Sequence, residues 1–135
     1  MELPPDVEFH QNPRLMVWRP RGLLSESVIN RLIKFMGDEE AASHKPFHRL
    51  ADTLAVDEVD LNFRYIFHVS LFRRLSYSGH PPVKTALLVA ENTVAHYARL
   101  HAVLTQGSPL KVKIFEDREE ATTWLEVPAE LIAPR

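Results

Sequence analysis

The sequence contains no cysteine and no long hydrophobic run in its 135 residues. Without cysteine there can be no disulfide, thiolate nucleophile or cysteine-ligated metal site, a composition that suits a reducing compartment. No apolar run approaches the ~20 residues that span a bilayer, and the first six residues lack the basic and apolar segments of a signal peptide. These absences predict a cytoplasmic protein without membrane insertion.

An excess of charge of one sign is also absent, because 16 basic and 18 acidic residues give a formal net charge of −2. The basic residues are scattered, and Arg73 and Arg74 alone are too few to form a basic stripe. Nucleic-acid-binding domains usually carry such an excess or stripe, so no nucleic-acid partner is predicted. The composition is that of a globular domain. We predict one domain over residues 1–135, with a core at about 7–125 and a C-terminal tail at 128–135.

Glycine is scarce, with four in the chain, and there is neither a glycine-rich phosphate loop nor a serine in a nucleophile elbow. The seven histidines do not suggest a zinc site, which needs three or four converging ligands. His96 and His101 are five residues apart and so lie on different faces of a helix, and His44 and His48 straddle Pro46. We therefore predict no metal, no cofactor and no enzymatic activity.

Hydrophobic periodicity predicts alternating strands and helices. The predicted strands are Val7–His10 and Leu15–Arg21, which form a hairpin, then Phe47–Thr53, Val83–Val89 and an edge strand at Leu110–Phe115. The predicted helices begin after Ser25, near Phe63, at Asn92 or Thr93, and after Asp117; the second ends near Tyr77. Val56 to Leu61 is interpreted as a loop or single turn. The resulting order, ββαβαβαβα, predicts an α/β fold with a mostly parallel central sheet and flanking helices.

Two local patterns accompany this order of elements. Strand two leaves through Arg21-Gly22-Leu23-Leu24 into helix one, and the last unit reads Ile114-Phe115-Glu116-Asp117 followed by Ala121, Trp124 and Leu125. In these features the chain resembles the SpoIIAA-like branch of the STAS-like fold, a group of small bacterial domains. The resemblance implies a domain that acts by binding partners.

Within that group, anti-sigma factor antagonists carry a phosphorylatable serine near the start of the helix after the third strand. The resemblance places that position within Ala55 to Asn62 here, a stretch with three acidic residues and no serine or threonine. Thr53 is the nearest hydroxyl. The phosphorylation switch is therefore not expected in this chain.

The acidic stretch allows three interpretations. Asp57 and Asp60 could be paired carboxylates for acid–base chemistry, could bind a cation, or could favour the N-terminus of the following helix, with Asp60 or Asn62 as its cap. We favour capping. An enzyme would have to use Asp52, Asp57, Asp60 and Arg64, the nearest polar candidates.

Helix two is the most informative segment, because its apolar residues lie almost all round the helix rather than on one stripe. A helix of this kind is usually buried on more than one side. Its outer face could meet the N-terminal hairpin, the C-terminal tail, a second copy of the chain or an apolar ligand. The apolar set is Phe63, Tyr65, Ile66, Phe67, Val69, Leu71, Phe72, Leu75 and Tyr77.

We therefore predict a non-enzymatic regulatory or protein-interaction module, with a protein partner or a homodimer formed through helix two. The alternative is a carrier or sensor of a small apolar ligand or lipid, held in a pocket between helices two and three and lined by Phe67, Leu71 and Tyr97. The candidate interface or ligand residues are Tyr65, Val69, Phe72 and Arg73 on helix two, and Asp57, Asp60 and Asn62 before it.

Overall fold

The computed structural model describes residues 2–134; the predicted domain and tail also include Met1 and Arg135, which lie outside the described residues. The strands are β1 (Val7–Gln11), β2 (Arg14–Trp18), β3 (Gly22–Ser25), β4 (His48–Asp52), β5 (Val56–Asp60), β6 (Val83–Leu88) and β7 (Leu110–Phe115). The helices are α1 (Glu26–Ser43), α2 (Phe63–Ser76), α3 (Thr93–Leu104), α4 (Arg118–Leu125) and a 3₁₀ helix (Ala129–Ile132). Within 2–134, no helix is both long and apolar enough to cross a membrane.

Five strands form the central sheet in the order β1-β2-β4-β6-β7. The predicted hairpin is confirmed, since β1 pairs antiparallel with β2, and all other pairs in this sheet are parallel. The predicted edge position of β7 is also confirmed, and β6 lies between β4 and β7. The register of the β4–β6 pair places Arg49 of β4 directly beside Thr85 of β6.

The interpretation of Val56 to Leu61 as a loop was wrong, and so was the extension of the second strand to Arg21. The chain leaves β2 after Trp18, and β3 then pairs in parallel with β5 as a separate two-stranded sheet. The sequence of β5, Val-Asp-Glu-Val-Asp, does not alternate apolar and polar residues, so the pattern of a half-buried strand is missing. Pairing with β3 stabilises it instead.

The two faces of the central sheet carry different helices. Helices α1, α2 and α3 cover one face, and α4 with the 3₁₀ helix covers the other. Phe47 and Ala51 pack in the core on the first face, and Leu50 packs with Leu125 and Ile132 on the second. The C-terminal tail and α2 therefore lie on opposite faces of the central sheet.

Helices α2 and α3 begin at residues whose side chains cap them. Asn62 accepts a hydrogen bond from the backbone N–H of Tyr65 (2.8 Å), and Asn92 accepts from those of Val94 and Ala95. Asp60 therefore does not cap α2. Ser25 occupies the N-cap position of α1 but its side chain makes no capping hydrogen bond.

This difference among the caps can be measured. Asn92→Ala should lower the free energy of unfolding by about 1 kcal/mol, because two backbone N–H groups lose their acceptor. Ser25→Ala is the matched control and should cost less than half as much. Chemical denaturation of both variants tests this. Equal decreases in the free energy of unfolding would show that the Asn92 side chain stabilises its helix no more than the Ser25 side chain does.

Candidate functional site

A cavity of about 150 Å³ lies between the central sheet and helices α1, α2 and α3. Its walls are almost wholly apolar and come from both layers. The sheet contributes Met16, Trp18 and Leu87, α1 contributes Leu32 and Met36, α2 contributes Ile66 and Val69, and α3 contributes Val94, Tyr97 and Ala98. The cavity is thus lined by residues of the main core.

Polar side chains line part of this cavity, and Arg49 makes the most side-chain hydrogen bonds among them. Arg49 is 2 % exposed, and its Nη2 donates to Oε2 of Glu40 on α1 at 3.0 Å. Its Nη1 and Nη2 both lie 3.0 Å from the hydroxyl of Tyr77, at the end of α2. That hydroxyl donates in turn to Oε1 of Glu40, and burial raises the pKa of Tyr77. The phenol is therefore neutral at physiological pH.

Arg73 of α2 lies beside this group and is also buried. Its guanidinium is over the ring of Tyr77, and Nη2 reaches the Tyr77 hydroxyl only at 3.4 Å. Burial, together with the nearby charge of Arg49, lowers the pKa of Arg73 to about 10. Arg73 therefore remains a cation at neutral pH in a poorly satisfied position.

Two further polar groups face the cavity. Thr85 lines it, and its Oγ1 is buried with no hydrogen-bond partner within residues 2–134. His101 of α3 also lines it, and its Nδ1 lies 2.7 Å from Oγ of Ser70 on α2. Burial first, and Arg73 second, lower the pKa of His101 to about 4, so the imidazole is neutral at pH 7.

Outside the cavity, a cleft of about 560 Å³ separates the C-terminal halves of α1 and α2. Ile33 and Arg73 line both spaces, so Arg73 stands between the cavity and the surface. At the other end of the same helix pair, the Tyr65 hydroxyl donates to Oδ1 of Asn30 at 2.6 Å. The two helices are therefore bridged by side chains at both ends.

The outer face of α2 is exposed, and neither the hairpin nor the tail covers it within the described chain. Its apolar side chains are exposed by 60 % at Phe63, 46 % at Phe67, 60 % at Phe72 and 74 % at Leu75. Phe63 contacts the ring of Tyr97 on α3, with ring centroids 5.1 Å apart. An apolar surface of this kind on a helix marks a candidate interaction site.

The candidate residues on α2 fall into different environments. Phe72 lies on the outer face, Tyr65 is half-buried against α1, and Val69 and Arg73 point inward to the cavity. Asn62 is occupied as a helix cap. The cavity is also placed differently from the expected pocket between helices two and three: it includes Tyr97 but neither Phe67 nor Leu71.

The acidic candidates are not brought together. Asp57 and Asp60 are exposed on β5 and Arg64 is exposed on α2, whereas Asp52 is buried. Asp52 accepts hydrogen bonds from Arg118 (2.8 Å) and Arg19 (3.4 Å), so it is held in a structural ion pair. No group of three potential metal ligands occurs among residues 2–134.

The hydroxyl of Thr53, nearest to the position of the phosphorylated serine, is not free. It donates to the backbone carbonyl of Leu88 at 2.8 Å, and the residue is buried.

Sequence reasoning also overlooked Arg49, Glu40 and Thr85. Only Arg49 left a signal in the sequence, as a charged residue among apolar ones on the inward side of a predicted strand.

The partly buried His101 predicts a specific dependence of stability on pH. Its folded pKa lies below the unfolded value, so its contribution is complete above pH 6.5 and is lost as the pH falls toward 4. The free energy of unfolding should fall by about 1 to 2 kcal/mol more in the wild type than in His101→Gln between about pH 7.5 and 5. Denaturant titrations at both pH values measure this, with His96→Gln, an exposed histidine on the same helix, as the control. Equal pH slopes in wild type and His101→Gln would contradict it.

Comparison with known proteins identifies the fold of the chain. No protein-family model matches the chain, and no curated protein matches it. Among solved structures, it is similar to an uncharacterized protein of the DUF3478 family with a SpoIIAA-like fold from Shewanella loihica PV-4, at 18 % identity and a TM-score of 0.57. The match covers 88 % of this chain and 90 % of that protein. The chain therefore has the SpoIIAA-like α/β fold that the order of its elements predicted.

Proposed function

We propose that this domain is a non-enzymatic binding module that holds a small, mostly apolar molecule in the cavity beneath α2, as a carrier or a sensor. The observation that carries the proposal is the cavity itself, about 150 Å³ between the sheet and three helices. Apolar cavities of about this size take up a molecule as large as benzene. The polar residues around it make no arrangement for attack on a substrate.

The energetic cost of the cavity supports this function. Protein cores are packed with few voids larger than a water molecule. Leaving an empty space costs about 24 cal/mol per Å³, which for this cavity is about 3 to 4 kcal/mol. A domain that served only as a scaffold would gain stability from one larger side chain at Ala98 or Ala51, both of which line the space. A ligand offsets the same cost.

Helix α2 gives this binding a route to regulation. Its inner side contributes Ile66, Val69 and Arg73 to the cavity, while its outer side exposes Phe67 and Phe72. A molecule that fills the cavity changes the packing under α2 and therefore the presentation of the outer face. Ligand binding and partner binding would then be coupled through one helix.

Filling the cavity provides the test. Toluene at ten times its dissociation constant should raise the free energy of unfolding of the wild type by about 1.4 kcal/mol. Ala98→Leu, which places a larger side chain in the cavity, should abolish this effect. Ala102→Leu, on the same helix but outside the cavity, is the matched control and should respond like the wild type. No stabilisation of the wild type up to the solubility limit of toluene would refute the proposal.

Self-association through α2 is a second candidate function, favoured by the exposed apolar side chains of its outer face. The charges nearby are self-complementary: Asp57 and Asp60 on β5 precede Arg64 on α2, and all three are exposed. In a symmetric dimer the same surface meets itself, so the acidic residues of one copy can face the arginine of the other. This arrangement of charges favours a second copy of the chain as the partner of the outer face.

Sedimentation equilibrium over a range of protein concentrations tests this second function. Phe72→Glu should raise the dimer dissociation constant at least about tenfold, because it would bury an unpaired carboxylate. The matched control is Val103→Glu, which changes a residue 64 % exposed on α3 and should leave the dimer intact. A monomeric wild type at every concentration would rule out self-association.

A further inference from the structure

The charges beside the cavity do not balance. Arg49 and Arg73 are both buried cations, and the carboxylate that faces them is Glu40, which pairs with Arg49 at 3.0 Å. Tyr77 and His101 are neutral at pH 7, as described above. The other acidic residue of the adjoining cleft, Asp38, is exposed and bonded to Lys34 at 2.8 Å. The group therefore carries one uncompensated positive charge.

Hydrogen-bonding capacity is also unused at the same place. A guanidinium has five N–H donors, and the contacts of Arg73 within residues 2–134 comprise one hydrogen bond of 3.4 Å and the ring of Tyr77. The buried hydroxyl of Thr85 has no hydrogen-bond partner in the described chain. Thr85 stands next to Arg49 in the parallel register of β4 and β6, where neighbouring strands are about 4.8 Å apart. A buried hydroxyl without a partner and a buried cation without a counter-ion are both costly in a core unless something satisfies them.

The rest of the cavity lining is apolar and contains no acidic side chain among the described residues. An occupant that satisfies Arg73 and Thr85 needs oxygen acceptors and one negative charge, and the remainder of its surface must be apolar. A carboxylate on a hydrocarbon body meets these requirements, because its two oxygens can accept from a guanidinium and a hydroxyl together.

We propose that the cavity binds a small apolar monocarboxylic acid as its anion, with the carboxylate held by Arg73 and Thr85 and the hydrocarbon body among Val69, Leu87 and Tyr97. This inference rests on the proposed function and names its ligand class. The volume of about 150 Å³ suits one ring or a short chain and excludes long-chain fatty acids as wholly buried ligands. The single uncompensated charge selects a monoanion over a dianion. The position of Arg73 between cavity and cleft places the carboxylate at the end nearest the surface.

Benzoate and toluene are suitable probes, because they share a ring and differ in the carboxylate. Isothermal titration calorimetry at pH 7 should give wild type at least about tenfold tighter binding of benzoate than of toluene, the worth of a charge-assisted hydrogen bond. Arg73→Met retains an apolar stem and removes the charge. This variant should lose at least about tenfold in benzoate affinity while it keeps its toluene affinity.

Thr85→Val is the second variant and is nearly isosteric. It breaks no hydrogen bond within the described chain, so its melting temperature should equal or exceed that of the wild type. Its benzoate affinity should fall by about threefold to tenfold with toluene binding unchanged. This variant keeps the inference testable if Arg73→Met does not fold.

The outcomes separate the two proposals. If toluene binds the wild type as tightly as benzoate does, or if both variants bind benzoate normally, the carboxylate inference is overturned and the apolar binding function stands. If toluene does not bind the wild type, the proposed function falls, and the carboxylate inference that rests on it falls with it. Loss of benzoate binding alone in Arg73→Met or Thr85→Val supports the carboxylate site, and loss of both probes in Ala98→Leu places it in the cavity.

Discussion

Arg49 is a charged side chain on the inward face of a central strand, and its ion pair with Glu40 fixes how two helices lie on the sheet. Removing a cation from water costs several kcal/mol unless its hydrogen bonds are replaced. The replacements here come from Glu40 on α1 and from Tyr77 at the end of α2, each at 3.0 Å from the guanidinium. α1 must therefore run well past Gly37 to reach the strand, and α2 must end where Tyr77 can turn inward.

The hydrogen bonds that Arg49 needs from Glu40 and Tyr77 also affect the packing of the adjoining core. Beside these polar groups at one end of the helix pair, the apolar side chains of α1, α2 and the sheet leave the cavity unfilled. The same end carries Arg73, a second cation that Glu40 cannot also neutralise. An apolar space with an unsatisfied positive end is a coherent design for an amphipathic anion, whereas it is a poor design for stability alone.

Much of this fold could be predicted from the sequence, because local patterns of hydrophobic residues and chain breakers determine most of its elements. The hairpin, the central strand β6, the edge strand β7 and the four helices follow from periodicity and from breakers such as Pro46 and Gly107. Strand β5 could not be predicted, because it pairs with β3, which is distant in sequence, and because its apolar and polar residues do not alternate. The candidate site was harder still: the importance of Arg73 depends on Arg49 and Glu40, which are distant in sequence and meet only in the folded chain.

The small parallel sheet of β3 and β5 sets one further property of the molecule. Ser25 and Asp60 are register partners at its end. Helix α1 begins at the next residue, Glu26, and α2 begins three residues after Asp60, at Phe63, so the two helices start from the same end of this sheet. Their remote ends are joined through Arg49, Glu40 and Tyr77 by buried, charged bonds, whereas Tyr65 and Asn30 are joined near the surface by a weaker one. Helix α2 is therefore anchored to α1 at both ends, by charged hydrogen bonds around Tyr77 and by a neutral hydrogen bond at Tyr65.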